Sequence, residues 1–250
     1  MPERRFVALC DILGFKSLVR TTSLDRLLES DLGFLRRIMG HALGQGEFPA
    51  DPPQLQALRA QGRTGFAWFS DTVLIYGKDN HEDSRRAVLE TVGWLLFESV
   101  RTRTRMRAGV AYGDFHADPE NELFVGPAIV DAYELEQAQE WMGGALTPSA
   151  AEQVPPRTTS GARYQWWVCE YSVPLKAHSS VNPSALAINW TQGIHNPGFQ
   201  LHWSRERAEP SEAERARDIS LVLKWQHTRE FHRAVCEGCF PENRRRHAGL

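Results

Sequence analysis

Two apolar segments of this chain each run directly into an aspartate. In residues 6–16, FVALCDILGFK, a continuous apolar run ends at Asp11, which is typical of the end of a buried strand. In residues 65–77, GFAWFSDTVLIYG, two β-rich runs flank Ser70 and Asp71, which predicts a hairpin that turns there. Both carboxylates are therefore expected at the ends of strands.

The elements between these strands predict how they are arranged. Ser23 is a suitable N-cap for a helix that extends to about residue 43, and residues 44–63 are expected to form a loop. A long amphipathic helix is expected over residues 83–101, and its apolar band is expected in the core: Trp94, Leu95, Leu96 and Phe97. A strand over residues 106–116 follows. Strand, helix, hairpin, helix and strand in this order predict an α+β fold with a ferredoxin-like βαββαβ core. In such a sheet the first strand and the hairpin are neighbours, so Asp11 and Asp71 come together.

Shorter elements are expected in the second half of the chain. Pro127 favours the first turn of a helix that follows a short strand within residues 122–141. The other predicted elements are a strand and short helix over 144–154, strands near 164–175 and 185–190, and a charged, exposed helix over 211–236.

Composition excludes some classes of function. The 250 residues carry a net charge of -2, and 42% of them are hydrophobic, which is ordinary for a globular protein and does not favour a nucleic-acid-binding face. No segment resembles a signal peptide or a membrane span, and the four cysteines are too few for a secreted disulfide scaffold. We therefore expect a cytoplasmic protein.

Two neighbouring carboxylates repel each other unless a cation neutralises them. Mg²⁺ and Mn²⁺ prefer one or two carboxylates together with substrate phosphate oxygens, and two such ions form a known catalytic arrangement. The backbone N–H groups of Gly14 and Phe15, at the start of the next helix, are a candidate phosphate site. Each aspartate taken singly is also an ordinary turn residue. The pair, with the right elements between its members, favours a site for two divalent ions.

These segments resemble the class III nucleotide cyclase catalytic domain over about residues 5–176. FVALCDILGF and FSDTVLIYG resemble the two metal motifs of that family. MRAGVAYGDF resembles its Arg-x-Gly strand, and FVGPAIVDAYELEQ resembles its strand and catalytic helix. The resemblance implies that Asp11, Asp71 and the Ile12 carbonyl hold two Mn²⁺ or Mg²⁺ ions. It also implies a catalytic domain over residues 1–180 and an extension over residues 181–250 that packs on the same domain.

Four positions depart from the pattern of the purine cyclases. The base-reading lysine and aspartate of those enzymes fall at Ala67 and Leu123, and their transition-state asparagine and arginine fall at Val130 and Glu134. Without the first pair, adenine loses its usual polar contacts, each of which is worth about 1–3 kcal/mol. An ordinary adenylate or guanylate cyclase is therefore disfavoured.

This pattern, together with the segment GPAIVDAYELE, the aromatic hairpin FAWF and the C-terminal extension, resembles the bacterial antiphage pyrimidine cyclases of the Pycsar type. The resemblance implies conversion of UTP or CTP to cyclic UMP or cyclic CMP and pyrophosphate, in a homodimer with active sites at the interface. It also implies a separate effector that binds the cyclic nucleotide. UTP is preferred over CTP by this resemblance alone. The aromatic hairpin residues Phe66, Trp68 and Phe69 are expected to narrow the base pocket and favour a single ring.

Three further features have two interpretations each. Lys176 is either a triphosphate ligand or a solvated lysine at a strand end. Arg107 is either the missing transition-state arginine or part of an ion pair that orders the sheet. The sequence H-x-x-x-C-x-x-C, from His232 to Cys239, favours ordinary cysteines near a helix end over a zinc site with His247 as a fourth ligand.

The whole chain also has a second interpretation. A catalytically silent, cyclase-like module that binds a nucleotide or a partner would lack the transition-state residues, as this chain does. Such a module would have little reason to retain two repelling carboxylates. The enzyme, a uridylate cyclase that makes a second messenger in antiphage defence, is therefore the preferred hypothesis.

Overall fold

A computed structural model of the chain describes residues 3–27, 62–102, 104–155, 167–191 and 211–238. Its strands are β1 (Glu3–Ile12), β2 (Thr64–Phe69), β3 (Thr72–Gly77), β4 (Met106–Asp118), β5 (Leu123–Val125), β6 (Gly144–Leu146), β7 (Val168–Glu170) and β8 (Leu186–Ile188). Its helices are α1 (Phe15–Thr21), α2 (Leu24–Arg26), α3 (Glu82–Thr102), α4 (Pro127–Ala138), α5 (Pro148–Ala151), α6 (Glu212–Arg217) and α7 (Ile219–Gly238).

The strands form one mixed sheet in the order β2-β3-β1-β4-β6-β8-β7, with β5 paired to β4. The first four strands of this order are antiparallel neighbours, whereas β4 and β6 run parallel. This is the arrangement of a βαββαβ core, so the predicted α+β fold is confirmed. The hairpin also turns where predicted, between Phe69 and Thr72.

Helix α3 covers one face of the sheet. Its apolar residues recur at helical spacing and are buried with the side chains that β1 and β3 direct to the same face. The predicted core band of this helix is confirmed, since all four of its members are at least nine-tenths buried: Trp94, Leu95, Leu96 and Phe97.

Helix α4 crosses the opposite face of the sheet at very short range. A Cβ atom at Gly109 of β4 would lie 2.1 Å from the carbonyl oxygen of Ala132 and 2.8 Å from the backbone nitrogen of Glu136. Only glycine leaves room for this approach. The Arg-x-Gly sequence of β4 therefore sets the distance between the sheet and α4, as well as supplying an arginine two residues away.

The helix predicted from Ser23 begins where expected, because Ser23 is the N-cap of α2. Its continuation to about residue 43 and the loop predicted over 44–63 fall mostly outside the described residues. Pro127 occupies the first turn of α4, as the sequence indicates.

The C-terminal segment contributes to the sheet and to the core. Strand β8 comes after residue 180, the expected boundary between the catalytic domain and its extension. It nevertheless lies between β6 and β7 in the sheet. The prediction that the helix over 211–236 is exposed is wrong in one respect, because α7 buries Trp225, Phe231 and Val235. Its charged residues occupy the outer face and mask this apolar stripe in a simple composition count.

Within the part of the chain that the structure describes, no helix is both long and apolar enough to cross a bilayer.

Candidate functional site

Asp11 lies near the end of β1, between two neighbouring strands. It pairs with Thr72 of β3 on one side and with Arg107 of β4 on the other, so the three side chains share one face of the sheet. This is the face that α4 covers farther along β4. The Asp11 side chain keeps 20% of its surface exposed, which leaves its carboxylate accessible from solvent.

Asp71 is the second residue of the tight turn between β2 and β3. Ser70 adopts a left-handed conformation, with φ of 57°, and its carbonyl accepts a hydrogen bond of 2.8 Å from the indole nitrogen of Trp68. The backbone N–H of Ile12 donates to the Asp71 carbonyl oxygen over 3.1 Å. The hairpin turn is thereby attached to the end of β1, and the expected neighbourhood of Asp11 and Asp71 is observed.

The pKa of Asp11 reports this crowding. Burial and then the negative charge of Asp71 raise the pKa of Asp11 to about 6, against the weaker opposing effects of Arg107 and Lys176. The carboxyl group is thus held in a place where its charged form is disfavoured without further positive charge. A divalent cation would supply that charge.

Arg107 is buried beneath the end of α4 and contacts three groups. Its Nη1 donates to the Gln139 carbonyl over 2.9 Å. Its Nη2 lies 2.7 Å from Oε1 of Glu136 and 3.8 Å from Oδ2 of Asp11. The ion pair given as one interpretation of Arg107 is therefore present, while a transition-state role stays a prediction.

Glu136 is the functional candidate that the sequence analysis missed. Burial raises the pKa of Glu136 to about 7, with Arg107 opposing that shift and Asp11 adding to it. A usable signal was present in the sequence. Glu136 lies four and eight residues after Ala132 and Ala128, on the buried face of α4, where a carboxylate needs a cationic partner.

Lys176 lies beside the same cluster. Its Nζ donates to the Gln137 carbonyl over 2.5 Å, at the C-terminal end of α4. Burial and the neighbouring charges of Arg107 and Lys224 lower the pKa of Lys176. Contact with a triphosphate stays a prediction for this residue, as it does for Gly14 and Phe15 at the start of α1.

Gly14 has the backbone conformation that makes glycine the favoured residue there. Its φ is +79°, and its carbonyl oxygen accepts hydrogen bonds from Ser17 and Leu18 in the first turn of α1. The turn after Ile12 is fixed by this conformation and by the Leu13 N–H, which donates to the Arg105 carbonyl over 2.8 Å.

Two of the three predicted base-pocket residues lie on the hairpin, and the third lies on β5. Ala67 and Phe69 share the face of Asp11. Phe69 lies opposite Thr72 of β3, which in turn lies opposite Asp11, and Ala67 is related in the same way to Leu74 and Leu9. Phe69 is 84% exposed, and Leu123 of β5 is 51% exposed.

The other two hairpin aromatics were assigned to the wrong face. Phe66 and Trp68 pack against the core beneath α3, since residues alternate between faces along β2. They cannot narrow a pocket on the Asp11 face, so only Phe69 of the three aromatic residues remains available for the shape argument.

The donor set around Asp11 and Asp71 fits a hard divalent cation. Carboxylate oxygens suit Mg²⁺ and Mn²⁺, and these ions take their remaining ligands from water and substrate phosphates. Among the described residues, no three or more histidine, cysteine, aspartate or glutamate side chains are grouped to hold a metal. Cys239 and His247, part of the alternative zinc site, lie outside the described residues.

Comparison with solved structures gives a match to a cyclase. The chain is similar to the catalytic core of a rhodopsin-guanylyl cyclase with converted specificity in complex with ATPalphaS, with a TM-score of 0.52 and 12% identity over 75% of this chain and 95% of that one. This similarity shows that the chain has the fold of that catalytic core.

A weaker similarity is to a class III adenylyl cyclase-like ATP-binding protein from Pseudomonas aeruginosa. Its TM-score is 0.42 at 14% identity, over 65% of this chain and 37% of that one. No protein-family model and no curated protein matches the chain.

Proposed function

We propose that this protein is a nucleotide cyclase that converts UTP, or secondarily CTP, to the 3′,5′-cyclic monophosphate and pyrophosphate. The observation that supports this most directly is the juxtaposition of Asp11 and Asp71 at the ends of neighbouring strands in a cyclase-like sheet, where burial and then the charge of Asp71 raise the pKa of Asp11. The solved cyclase core of the same fold is described in complex with ATPalphaS, so the fold accommodates a nucleoside triphosphate.

Each candidate residue has a defined task in this proposal. Asp11, Asp71 and the Ile12 carbonyl would hold two Mn²⁺ or Mg²⁺ ions. When bound, these ions would acidify the ribose 3′-hydroxyl and neutralise the triphosphate. Gly14, Phe15 and Lys176 would bind phosphate oxygens.

The chain's own groups also restrict the reaction geometry. The Ile12–Asp71 hydrogen bond fixes the separation between β1 and the hairpin turn, which supports the proposal that the two aspartates serve one substrate. A fixed position for the triphosphate favours in-line attack of the 3′-hydroxyl on the α-phosphate.

The pyrimidine preference rests on the apolar character of the base site. Ala67 and Leu123 replace the polar residues with which purine cyclases read the base, and Phe69 offers an exposed ring on the same face as Asp11. An apolar site of this kind leaves the polar edge of adenine without partners, which costs binding free energy.

A homodimer is the proposed active unit, with each site completed by the second copy. Five large apolar side chains are strongly exposed on the hairpin, on β5 and on the outer face of α4: Phe69, Leu123, Val125, Val130 and Tyr133. Apolar surface of this extent is typical of an interface. The product would be read by a separate cyclic-nucleotide-binding effector in antiphage defence.

A catalytically silent nucleotide-binding or dimerisation module is the second candidate. It is favoured by Val130 and Glu134 at the positions of the family's transition-state residues, and by the engagement of Arg107 with Glu136. It is disfavoured by the retained pair of carboxylates.

One assay distinguishes the two candidates. Purified protein is incubated with Mn²⁺ and each of the four ribonucleoside triphosphates separately, and the products are identified by mass spectrometry. A cyclic pyrimidine monophosphate formed by the wild type but not by Asp71→Asn supports the proposal. Absence of every cyclic product, with nucleotide binding retained, would instead establish the silent module.

A further inference from the structure

Arg107 is held by two carboxylates at unequal distances. Its Nη2 is 2.7 Å from Glu136 Oε1 but 3.8 Å from Asp11 Oδ2. The first distance is that of a close ion pair, whereas the second leaves a gap between the guanidinium and the Asp11 carboxylate. The guanidinium therefore compensates the charge of Asp11 without closing on its carboxylate.

The position of Arg107 is set by a rigid frame. Its Nη1 donates to the Gln139 carbonyl over 2.9 Å. The Gln139 side chain is itself fixed, because its Nε2 donates to the Ala108 and Leu135 carbonyls over 2.9 and 3.0 Å. Its Oε1 accepts a bond of 2.6 Å from the indole nitrogen of Trp141. The frame thus joins β4 to the end of α4.

Gly109 brings Glu136 within reach of this frame. The backbone nitrogen of Glu136 lies 2.8 Å from where a Cβ atom of Gly109 would be, so a larger residue would push α4 and its carboxylate away from Arg107. Both Glu136 and Arg107 are almost completely buried, which strengthens their interaction by excluding water.

We propose that Glu136 is a positioning residue that holds Arg107 back from Asp11 and so keeps the Asp11 carboxylate available to a divalent cation. The inference rests on the proposed function, in which Asp11 is a metal ligand. Without the Glu136 charge, a displacement of Nη2 by about 1 Å would bring Arg107 into direct contact with Asp11. The guanidinium would then compete with the metal for the same oxygen atoms.

A merely structural role for the Glu136–Arg107 pair makes a different prediction. A buried ion pair that only joins α4 to the sheet would affect stability when broken, and would leave the metal affinity of the folded protein unchanged. Metal affinity therefore separates the two roles.

The test is a titration of the full chain with Mn²⁺ alone at pH 8. The EPR signal of the free ion measures how much Mn²⁺ is bound. Glu136→Gln should weaken Mn²⁺ binding about tenfold, the effect expected of a residue that supports a metal ligand. The double variant Arg107→Met/Glu136→Gln removes the competing cation as well and should recover most of that loss. Circular dichroism confirms folding of each variant.

Two further variants keep the test decisive. Glu136→Asp retains the charge on a shorter side chain and should give a smaller loss of Mn²⁺ affinity than Glu136→Gln. Glu214→Gln is the matched control, because it disrupts an ion pair outside the frame that holds Arg107. In that pair the two guanidinium nitrogens of Arg105 donate to the Glu214 carboxylate over 2.7 and 3.1 Å. It should alter stability and leave Mn²⁺ affinity as in the wild type.

The outcomes are distinct for the two proposals. If the wild-type protein binds no Mn²⁺, or if Asp71→Ala binds Mn²⁺ as tightly as the wild type, the proposed metal site is overturned and this inference with it. Mn²⁺ binding that depends on Asp71 but is unchanged in Glu136→Gln and Glu136→Asp would overturn the inference alone. If the losses of Mn²⁺ affinity caused by the two single changes simply add in the double variant, competition by Arg107 would also be refuted.

Discussion

The backbone N–H of Ile12 donates to the Asp71 carbonyl oxygen over 3.1 Å. This single bond attaches the end of β1 to the hairpin turn, immediately beside the Asp11–Thr72 pair of the β1–β3 ladder. The two candidate metal ligands are thus separated by 60 residues of sequence and held together by backbone geometry.

Removal of the Asp71 carboxylate should abolish cyclic-nucleotide formation without unfolding the protein. Asp71 lies on a partly exposed turn whose shape is set by the left-handed Ser70, so Asp71→Ala removes a ligand and little packing. Product formation is measured by mass spectrometry and the melting temperature by circular dichroism. Wild-type turnover in Asp71→Ala at ordinary Mn²⁺ concentration would contradict the metal assignment.

The metal-free protein should lose stability as the pH rises through about 6. The pKa of Asp11 is raised in the fold to about 6 from an ordinary value of 3.8, so its neutral form is favoured in the native state. That contribution is complete below about pH 3.8 and disappears above the folded pKa. Urea denaturation in EDTA between pH 4 and 8 measures the slope, because the loss of stability falls between the ordinary and the raised pKa of Asp11.

The groups that face Asp11 identify the control for this titration. Asp71 and Glu136 add negative charge near it, while Arg107 and Lys176 add positive charge. Glu136, whose pKa is raised to about 7, changes stability in the same direction over a higher range. Asp11→Asn should therefore flatten the slope near pH 6 and leave the part near pH 7. An unaltered profile in this variant would assign the effect elsewhere.

Gly109→Ala should destabilise the protein by about 1–3 kcal/mol, as overpacking typically does. The new methyl group would lie 2.1 Å from the Ala132 carbonyl, so α4 must move away from the sheet. Gly113→Ala is the matched control, because its nearest neighbour would be 3.5 Å away, an ordinary contact. Chemical denaturation compares the two variants, and equal free energies of unfolding would argue against close packing of α4 at Gly109.

The two copies of a dimer should complement each other's defects. Mixing Asp11→Ala chains with Glu134→Ala chains, which carry a change on the exposed side of α4, should restore part of the activity that each variant lacks. Tyr133→Arg should dissociate the dimer, because its ring is 53% exposed within the apolar surface. Sedimentation velocity measures the second effect. No rescue at any mixing ratio would indicate self-contained sites.

UTP should be used at least tenfold better than ATP, a difference of about 1.4 kcal/mol in transition-state binding. The competition is run with all four triphosphates in one tube, and the cyclic products are separated by mass. The double variant Ala67→Lys/Leu123→Asp restores polar groups at the two base positions and should shift the product ratio toward cyclic AMP. Cyclic AMP or cyclic GMP as the main wild-type product would show that these positions do not determine the base.

Much of the candidate site was predictable because its signals are local. A continuous apolar run that ends at Asp11, and two β-rich runs that flank Asp71, each identify a strand end from neighbouring residues alone. The order of strands and helices then restricts the topology to one in which β1 and the hairpin are adjacent. The same reasoning predicted the core band of α3, whose apolar residues recur at helical spacing.

The predictions failed where a pattern had to be assigned to a particular face. Alternation along β2 places Phe66 and Trp68 opposite Ala67 and Phe69, but only the pairing of β2 through β3 with β1 decides which set faces Asp11. In α7, local charge suggested exposure, whereas packing against the rings of Trp141, Tyr171 and Trp190 buries Phe231. Side-chain periodicity defines two faces of an element, and the neighbouring elements decide which face is covered.

The sequence by itself determined the strand ends, the hairpin and the order of elements, because hydrophobic periodicity and turn chemistry depend on residues a few positions apart. Only the tertiary structure decided that Glu136 reaches Arg107 and that Arg107 stands 3.8 Å from Asp11. Those contacts depend on how closely α4 approaches β4 over Gly109. Such a distance between elements is set by the packing of side chains that lie far apart in the chain.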